Sequence, residues 1–373
     1  MTLAHPPLWV VLLAFICALG PLVFFHELGH YLVARLFKVP AETFSIGFGR
    51  ELIGWTDKQG TRWKVAWLPL GGYVKFVGDM GPASTPADGE DIPEELRDRA
   101  FQFKPVWQRF LIVLAGPVAN FLLAIAIFAA FFTFIGAPLT NVVGTIEPNS
   151  AAARAGLQPG DKILSIAGRP TPAFEDIRTV VMLRAGERVT LKVERDHAVQ
   201  QVSVTLKSVE MKDIFGRPFH KGQLGVQPTA AVLKPVPVWQ AIPAAFDATV
   251  RITAQTFDIL SRIVTGQLSA KVIGGPIAIA KVAGEGAAAG PLAFIGLLAL
   301  LSINLGFINL LPVVPLDGGH LFFYIVEAVR RRPVSAQALD WSARGGVALI
   351  LLLMIFATGN DLGLWDGLQR LIG

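Results

Sequence analysis

Residues 8–37 read LWVVLLAFICALGPLVFFHELGHYLVARLF, and from Leu8 to Phe25 this stretch carries no charged side chain. An apolar run of that length predicts a helix able to cross the hydrocarbon core of a bilayer. Directly after it, in the same helix, come His26, Glu27 and His30. Positions i and i+4 share one helical face, so His26 and His30 can hold one metal ion together. Glu27, one residue round, is close enough to take a proton from a water activated there. The plainer alternative is a helix end carrying solvated polar groups. The setting argues against it, since an ionisable side chain at membrane depth costs about 2.5–3.5 kcal/mol and usually faces a protein interior or a water-filled cavity. At about 1.5 Å per residue His26 lies roughly 27 Å along the axis from Leu8, near the far leaflet, and Pro21 can kink the helix one turn before the motif.

The rest of the composition agrees with a membrane chain. Of the 373 residues, 53% are hydrophobic and 16% charged, and the mean hydropathy is +0.53. The net charge of +5 does not indicate nucleic acid, because no basic cluster is interleaved with aromatics on a polar domain. Several basic residues instead flank apolar runs, as membrane topology requires. Cys17 is the single cysteine, so no disulfide forms within the chain. The N-terminus lacks the basic start of a cleaved signal peptide, and Met1–Phe25 is expected to stay in the mature protein.

Residues 1–38 thus form a first transmembrane helix. Residues 39–105 form a polar loop on the cytoplasmic side. Within it Thr61–Val77 predicts a membrane-associated β-hairpin about Pro69 and Gly71-Gly72, and Gly81–Glu95 reads as flexible. Residues 106–138 hold a second span, with Ala115-Gly116-Pro117 suited to close helix contact and Asn120 read as a polar tie between helices. Residues 139–208 change character: short alternating segments surround two helical stretches, Ala151–Ala155 and Phe174–Leu183, the pattern of a small α+β domain. Its turn Ala155-Gly156-Leu157-x-Pro159-Gly160-Asp161 resembles that of PDZ domains in bacterial proteases, which take a peptide as an added strand. The alternative is a structural spacer. Residues 209–290 are an amphipathic connector with a helix over Val238–Val264.

Residues 291–330 hold a third apolar segment that runs into Asp317-Gly318-Gly319-His320. Pro312 and Pro315 cannot continue a helix, and opened backbone at membrane depth must line a cavity or be buried in protein. Asp317 is then the natural third ligand, because two imidazoles and one carboxylate with a fourth position for water make a catalytic zinc arrangement. Read alone, Asp317 is equally a helix-capping residue. Residues 331–373 comprise a cytoplasmic loop, entered through the basic run Arg330-Arg331-Arg332, a fourth span near Trp341–Gly359 and a tail. Positive charge places that loop and residues 39–105 in the cytoplasm, which puts the N-terminus, the PDZ-like domain and the C-terminus outside and the metal near the cytoplasmic face. The expected fold is a multi-pass α-helical membrane protein of about four spans with an inserted α+β domain.

Several motifs follow one another in order: FHELGHYLVAR at Phe25–Arg35, FSIGFGR at Phe44–Arg50, PLGGYVKF at Pro69–Phe76, LAGPVANF at Leu114–Phe121, GGPIAIAK at Gly274–Lys281 and NLGFINLLPVVPLDGGH at Asn304–His320. Together they resemble the bacterial site-2 proteases, intramembrane zinc proteases such as the regulator of sigma-E protease, over nearly the whole chain. One position departs from the family pattern: Val314 stands where a second proline is usual, and the proline follows at Pro315.

The resemblance implies a zinc metalloendopeptidase with one zinc ion per chain held by His26, His30 and Asp317, and Glu27 as general base. It further implies that Asn309 steadies the substrate backbone or the developing oxyanion. The β element at Gly71 and Gly72 would pair with an unwound substrate strand, and the PDZ-like domain would serve as a filter or dock outside the membrane. Implied substrates are single-span membrane proteins, anti-sigma factors and remnant signal peptides, cut a second time in regulated proteolysis at the bacterial inner membrane. Two other readings compete. One is a zinc protease with its site in water and a membrane anchor; the other is a non-catalytic membrane scaffold that binds partners through the PDZ-like domain and holds no metal.

Overall fold

The computed structural model describes residues 6–77, 97–136, 141–212, 218–229 and 235–365. The stretch Gly81–Glu95, read as flexible from its composition, lies outside them. The chain divides into two compact units: residues 1–128, 248–253 and 273–373 form the first, and residues 129–247 and 254–272 the second.

In chain order, α1 (Leu8–Leu36) is a single helix that runs through Pro21. Strands β1 (Ala41–Thr56) and β2 (Arg62–Phe76) follow, and then α2 (Val106–Phe134). The second unit contains β3 (Val143–Ile146), α3 (Ala151–Arg154), β4 (Lys162–Ile166), β5 (Arg169–Pro170), α4 (Phe174–Met182), β6 (Arg188–Arg195), β7 (Ala198–Thr205), β8 (Lys207–Lys212), β9 (Pro218–Gln223) and β10 (Val226–Pro228). Helix α5 (Val238–Val264) has the bounds that the spacing predicts. It is followed by α6 (Pro276–Ala288), α7 (Pro291–Asn309), α8 (Asp317–Arg330) and α9 (Ala336–Asp361). Helices α1, α2, α7 and α9 are the four, among the described residues, long and apolar enough to cross a membrane.

The hairpin differs from expectation. Its turn lies at Asp57–Gly60, where the Asp57 carboxylate accepts from the Gln59 and Thr61 N–H groups, a side chain closing its own turn. Gly71 and Gly72 sit inside β2 instead. Both strands bend, so that Thr43 faces both Lys75 and Arg62, and Ile46 faces both Gly72 and Val65. Two long strands thereby make a curled sheet of four legs. A Gly pair marks a bend as readily as a turn, which is why the sequence alone misplaced it. The sheet packs on α1 through Tyr31, Ala34, Phe44 and Val74, with the Phe44 and Trp63 rings stacked at 4.2 Å.

The Gly/Ala-rich stretch after Pro276 is helical rather than a bare connector, because its small residues allow close packing. A Cβ on Gly284 would come within 2.7 Å of the Val11 side chain, and Ala283 is buried with Ala14 and Ala18 of α1. The start of α6 is capped from afar: Asp361 accepts from the Gly275 and Ala278 N–H groups at 2.9 and 3.0 Å. A carboxylate there satisfies orphan donors and meets the positive end of the helix dipole.

In the second unit β5-β4-β6-β7 form one sheet, and Ile163, Ile166, Leu191 and Val193 are fully buried in its core. The stretch after residue 208, expected to be connector, adds β8 and β9, and β10 returns to pair with β3. Leu224 joins the core at 3% exposure, which is what ties this segment down. Asp161, in the PDZ-like turn, accepts from Arg195 through both carboxylate oxygens at 2.7 Å and from the Gln158 N–H at 2.8 Å. Burial raises this carboxyl, but those bonds outweigh it and hold it below the ordinary carboxylate range. A group depressed in this way stabilises the fold above its unfolded value of about 3.9 and loses that contribution as pH falls through the folded value. Asp161→Ala is therefore expected to cost about 2 kcal/mol at neutral pH, below the usual loss for a broken buried pair because Arg195 keeps access to water. The loss should shrink on acidification below about pH 4. Hydrogen exchange of the β4 and β6 amides in the full-length protein measures both.

Candidate metal centre

Along α1 the residues Ala14, Ala18, Leu22, His26 and His30 are buried, a stripe at four-residue spacing that points one face into the protein. His26, Glu27 and His30 are 8–9% exposed. The His30 ring donates Nδ1–H to the Ile112 carbonyl at 2.9 Å. That bond fixes the tautomer and leaves Nε2 with its lone pair free.

Asp317 arrives from the opposite end of the sequence. Helix α7 ends at Asn309, and the chain turns through residues 310–316 before α8 begins at Asp317. The turn is tight: a Cβ on Gly318 would come within 2.3 Å of the Leu310 carbonyl oxygen, and one on Gly319 within 2.5 Å of the Val314 nitrogen. The two glycines after Asp317 are thus a packing requirement. Arg109, at the start of α2, ties down the far end of α8 through an ion pair with Glu327 at 2.7 Å and a position over the Tyr324 ring.

His26, His30 and Asp317 offer ligand atoms that all lie within 4.8 Å of one another. The two Nε2 atoms are 3.3 Å apart, and Asp317 Oδ2 is 3.1 Å from one and 3.5 Å from the other. Ligands on a tetrahedral zinc with bonds of about 2.0–2.1 Å are separated by about 3.3 Å, so all three edges fit. Two further observations support a metal. Asp317 Oδ2 is buried and accepts no hydrogen bond, although such an atom ordinarily has a partner. Gly116 of α2 leaves the imidazoles room that a methyl would fill, since its Cβ would sit 2.2 Å from His30 Nε2 and 2.9 Å from His26 Cε1.

The other expected residues separate. Glu27 accepts from the Val74 N–H of β2, and Gly72 lies beside it, with a hypothetical Cβ 3.1 Å from Glu27 Cγ. Asn309 Nδ2 is 3.4 Å from His26 Nε2, which brings the end of α7 to the centre. Gly71 is not at the ligands; it has φ +93° and packs against the Phe48 ring. Asn120, read from sequence as a tie between helices, instead reaches the site, with its amide nitrogen 3.0 Å from His26 Nδ1. Gly116 and Asn120 share the i, i+4 spacing of His26 and His30. That matched spacing was the available signal that two helical faces meet.

A buried cluster of two histidines and an aspartate, with a glutamate next to the first histidine, defines a metallopeptidase-type centre. Residues 14–353 match the profile of peptidase family M50. A protein of Rhizobium meliloti (strain 1021), named as a presumed zinc metalloprotease, is 42% identical over 93% of this chain and 95% of its own length. Metalloprotease MmpA of Caulobacter vibrioides is 41% identical over 96% of each chain. A solved PDZ domain of the SdrC-like protein from Listeria monocytogenes aligns over 24% of this chain and 87% of that one at 19% identity, with a TM-score of 0.20, and bears no weight. The chain belongs to peptidase family M50, the site-2 protease family, and is a zinc metalloprotease. That membership sets aside the metal-free scaffold.

Proposed function

We propose that this metalloprotease cuts peptide bonds inside the membrane-spanning segments of single-span proteins, with His26, His30 and Asp317 as the zinc ligands and Glu27 as the general base. The observation that carries the proposal is the position of the ligand pair inside α1, a helix itself long and apolar enough to span a membrane. Zinc, when bound, acts as a Lewis acid toward the scissile carbonyl and toward water. Glu27 receives the proton of the attacking water and returns it to the leaving amine, so that the C–N bond breaks with both new termini correctly protonated. The Asn309 amide, a donor near His26, is placed to hold a substrate carbonyl or the oxyanion that develops from it.

A transmembrane helix hides its amides and must unwind before attack. The leg Gly72–Lys75 of the curled sheet, which pairs in register with Thr43–Ile46, offers backbone groups for an added strand next to Glu27. Anti-sigma factors and signal-peptide remnants, in regulated proteolysis at the inner membrane, are the proposed substrate classes. The basic run Arg330-Arg331-Arg332 supports an orientation with the site toward the cytoplasm and the β-rich unit outside.

Elemental analysis of detergent-purified protein beside His26→Ala, His30→Ala and Asp317→Ala tests the ligand set. One zinc per chain is expected in the wild type and less than about a tenth of that in each variant, as a three-ligand site requires all its members. Stoichiometric zinc in folded Asp317→Ala would remove Asp317 from the set. The site of cleavage is tested separately, by mass-spectrometric mapping of the cut in a reconstituted single-span protein. Cuts confined to the flanking water-exposed residues would overturn the intramembrane reading.

A further inference from the structure

Asn120 is fully buried in the middle of an apolar helix, a costly place for an amide without a task. Its side chain faces the only ring nitrogen of His26 turned away from the ligand cluster, Nδ1, at 3.0 Å. His26 Nε2 points the other way, 3.1 Å from Asp317 and 3.3 Å from His30 Nε2. Its partner His30 has its own Nδ1–H held by the Ile112 carbonyl. Each imidazole is thus gripped at Nδ1 by a group of α2, and each presents Nε2 to the same point.

For His26 the orientation of the Asn120 amide decides which nitrogen carries the proton. With the amide nitrogen toward Nδ1, the ring must accept there, and its proton moves to Nε2, where it blocks the lone pair. In that orientation Asn120 Oδ1 is also left buried without a hydrogen-bond partner. An amide's oxygen and nitrogen exchange places by a half-turn, and the surrounding hydrogen bonds decide between them. After the half-turn Oδ1 accepts Nδ1–H, the orphaned acceptor is satisfied, and Nε2 is free to ligate. A metal-bound histidine almost always donates its other N–H to such an acceptor.

We infer that Asn120 is a positioning residue that holds His26 in its metal-binding tautomer, with Oδ1 on Nδ1–H. The backbone there is itself held: Ser302 Oγ on α7 donates to the Asn120 carbonyl at 2.8 Å. The inference rests on His26 being a zinc ligand, as proposed above.

Asn120→Asp and Asn120→Leu separate this role from packing. A carboxylate can only accept, so Asp reproduces the inferred orientation and cannot reproduce the reverse one; Leu fills the same space with neither. Zinc affinity is measured for the purified full-length proteins by competition with a fluorescent chelator, with His26→Ala alongside. Asp is expected to bind zinc within about threefold of wild type, and Leu to bind about 10–100-fold more weakly, the usual cost of losing a partner behind a ligand. Weak binding by folded Asn120→Asp overturns the inference by itself, whether or not Asn120→Leu folds. Wild-type affinity in Asn120→Leu overturns it too. Unchanged affinity in His26→Ala would instead overturn the ligand assignment on which it rests.

Discussion

Gly116→Ala is expected to abolish zinc binding and proteolysis while leaving a folded protein. The added methyl would start 2.2 Å from His30 Nε2 and 2.3 Å from its Cε1, well inside van der Waals contact with that edge of the imidazole. The helices cannot move apart cheaply to admit it. On the facing helix a Cβ on Gly29 would lie 2.3 Å from the Ala115 carbonyl oxygen and 2.8 Å from the Ala119 Cβ, so α1 and α2 already touch backbone to backbone. The imidazoles are the parts that must give way, and their displacement spoils all three ligand separations together. Secondary structure is not threatened, since alanine exceeds glycine in helix propensity by about 1 kcal/mol. Elemental analysis after dialysis against a weak chelator should find less than about a tenth of the wild-type zinc, the loss expected when ligand geometry is broken. Gly296→Ala, in α7 where a Cβ meets nothing within 4 Å, is the control and should keep full zinc. Zinc at wild-type affinity in Gly116→Ala would mean that the imidazoles do not converge as described.

Glu27→Gln is expected to keep the zinc and lose the reaction. Glutamine has the shape of glutamate and an oxygen that can still accept the Val74 N–H, so the contact with β2 survives. What disappears is a group able to take up a proton. General-base catalysis is worth about 10²–10⁴-fold in rate, and the turnover of a reconstituted single-span substrate should fall by at least that range with zinc content unchanged. The pairing of the two readouts matters. Lost activity with lost zinc would place Glu27 among the structural supports of the site, whereas retained cleavage would take the proton-transfer role away from it altogether.

Much of this protein was legible in its sequence, because the signals are local. A helix of apolar residues is recognisable from a single stretch, and His26 and His30 share a face by the 3.6-residue period alone. Asp317 was reachable because Pro312 and Pro315 forbid a continuous helix just before it. The β-rich unit announced itself through alternation and turn residues. The rest depended on contacts between stretches distant in the chain. Asn120 and His26 are 94 residues apart, and nothing near either one tells a lone amide at the site from a lone amide between helices. Gly116 reads as one small residue among several until α1 is laid against it. Gly71-Gly72 carried a turn signal, yet the turn formed at Asp57–Gly60, where a side chain closes it, and the glycines became a bend in β2. The strands after residue 208 went unread because their apolar anchor, Leu224, is a single residue whose burial needs the finished core. Sequence by itself thus determined the long apolar helices, the paired histidines and the kind of metal they suit, since periodicity and charge cost act within a few residues. Only the tertiary structure decided what stands behind each histidine, because that is fixed by how closely two small-residue helix faces can approach.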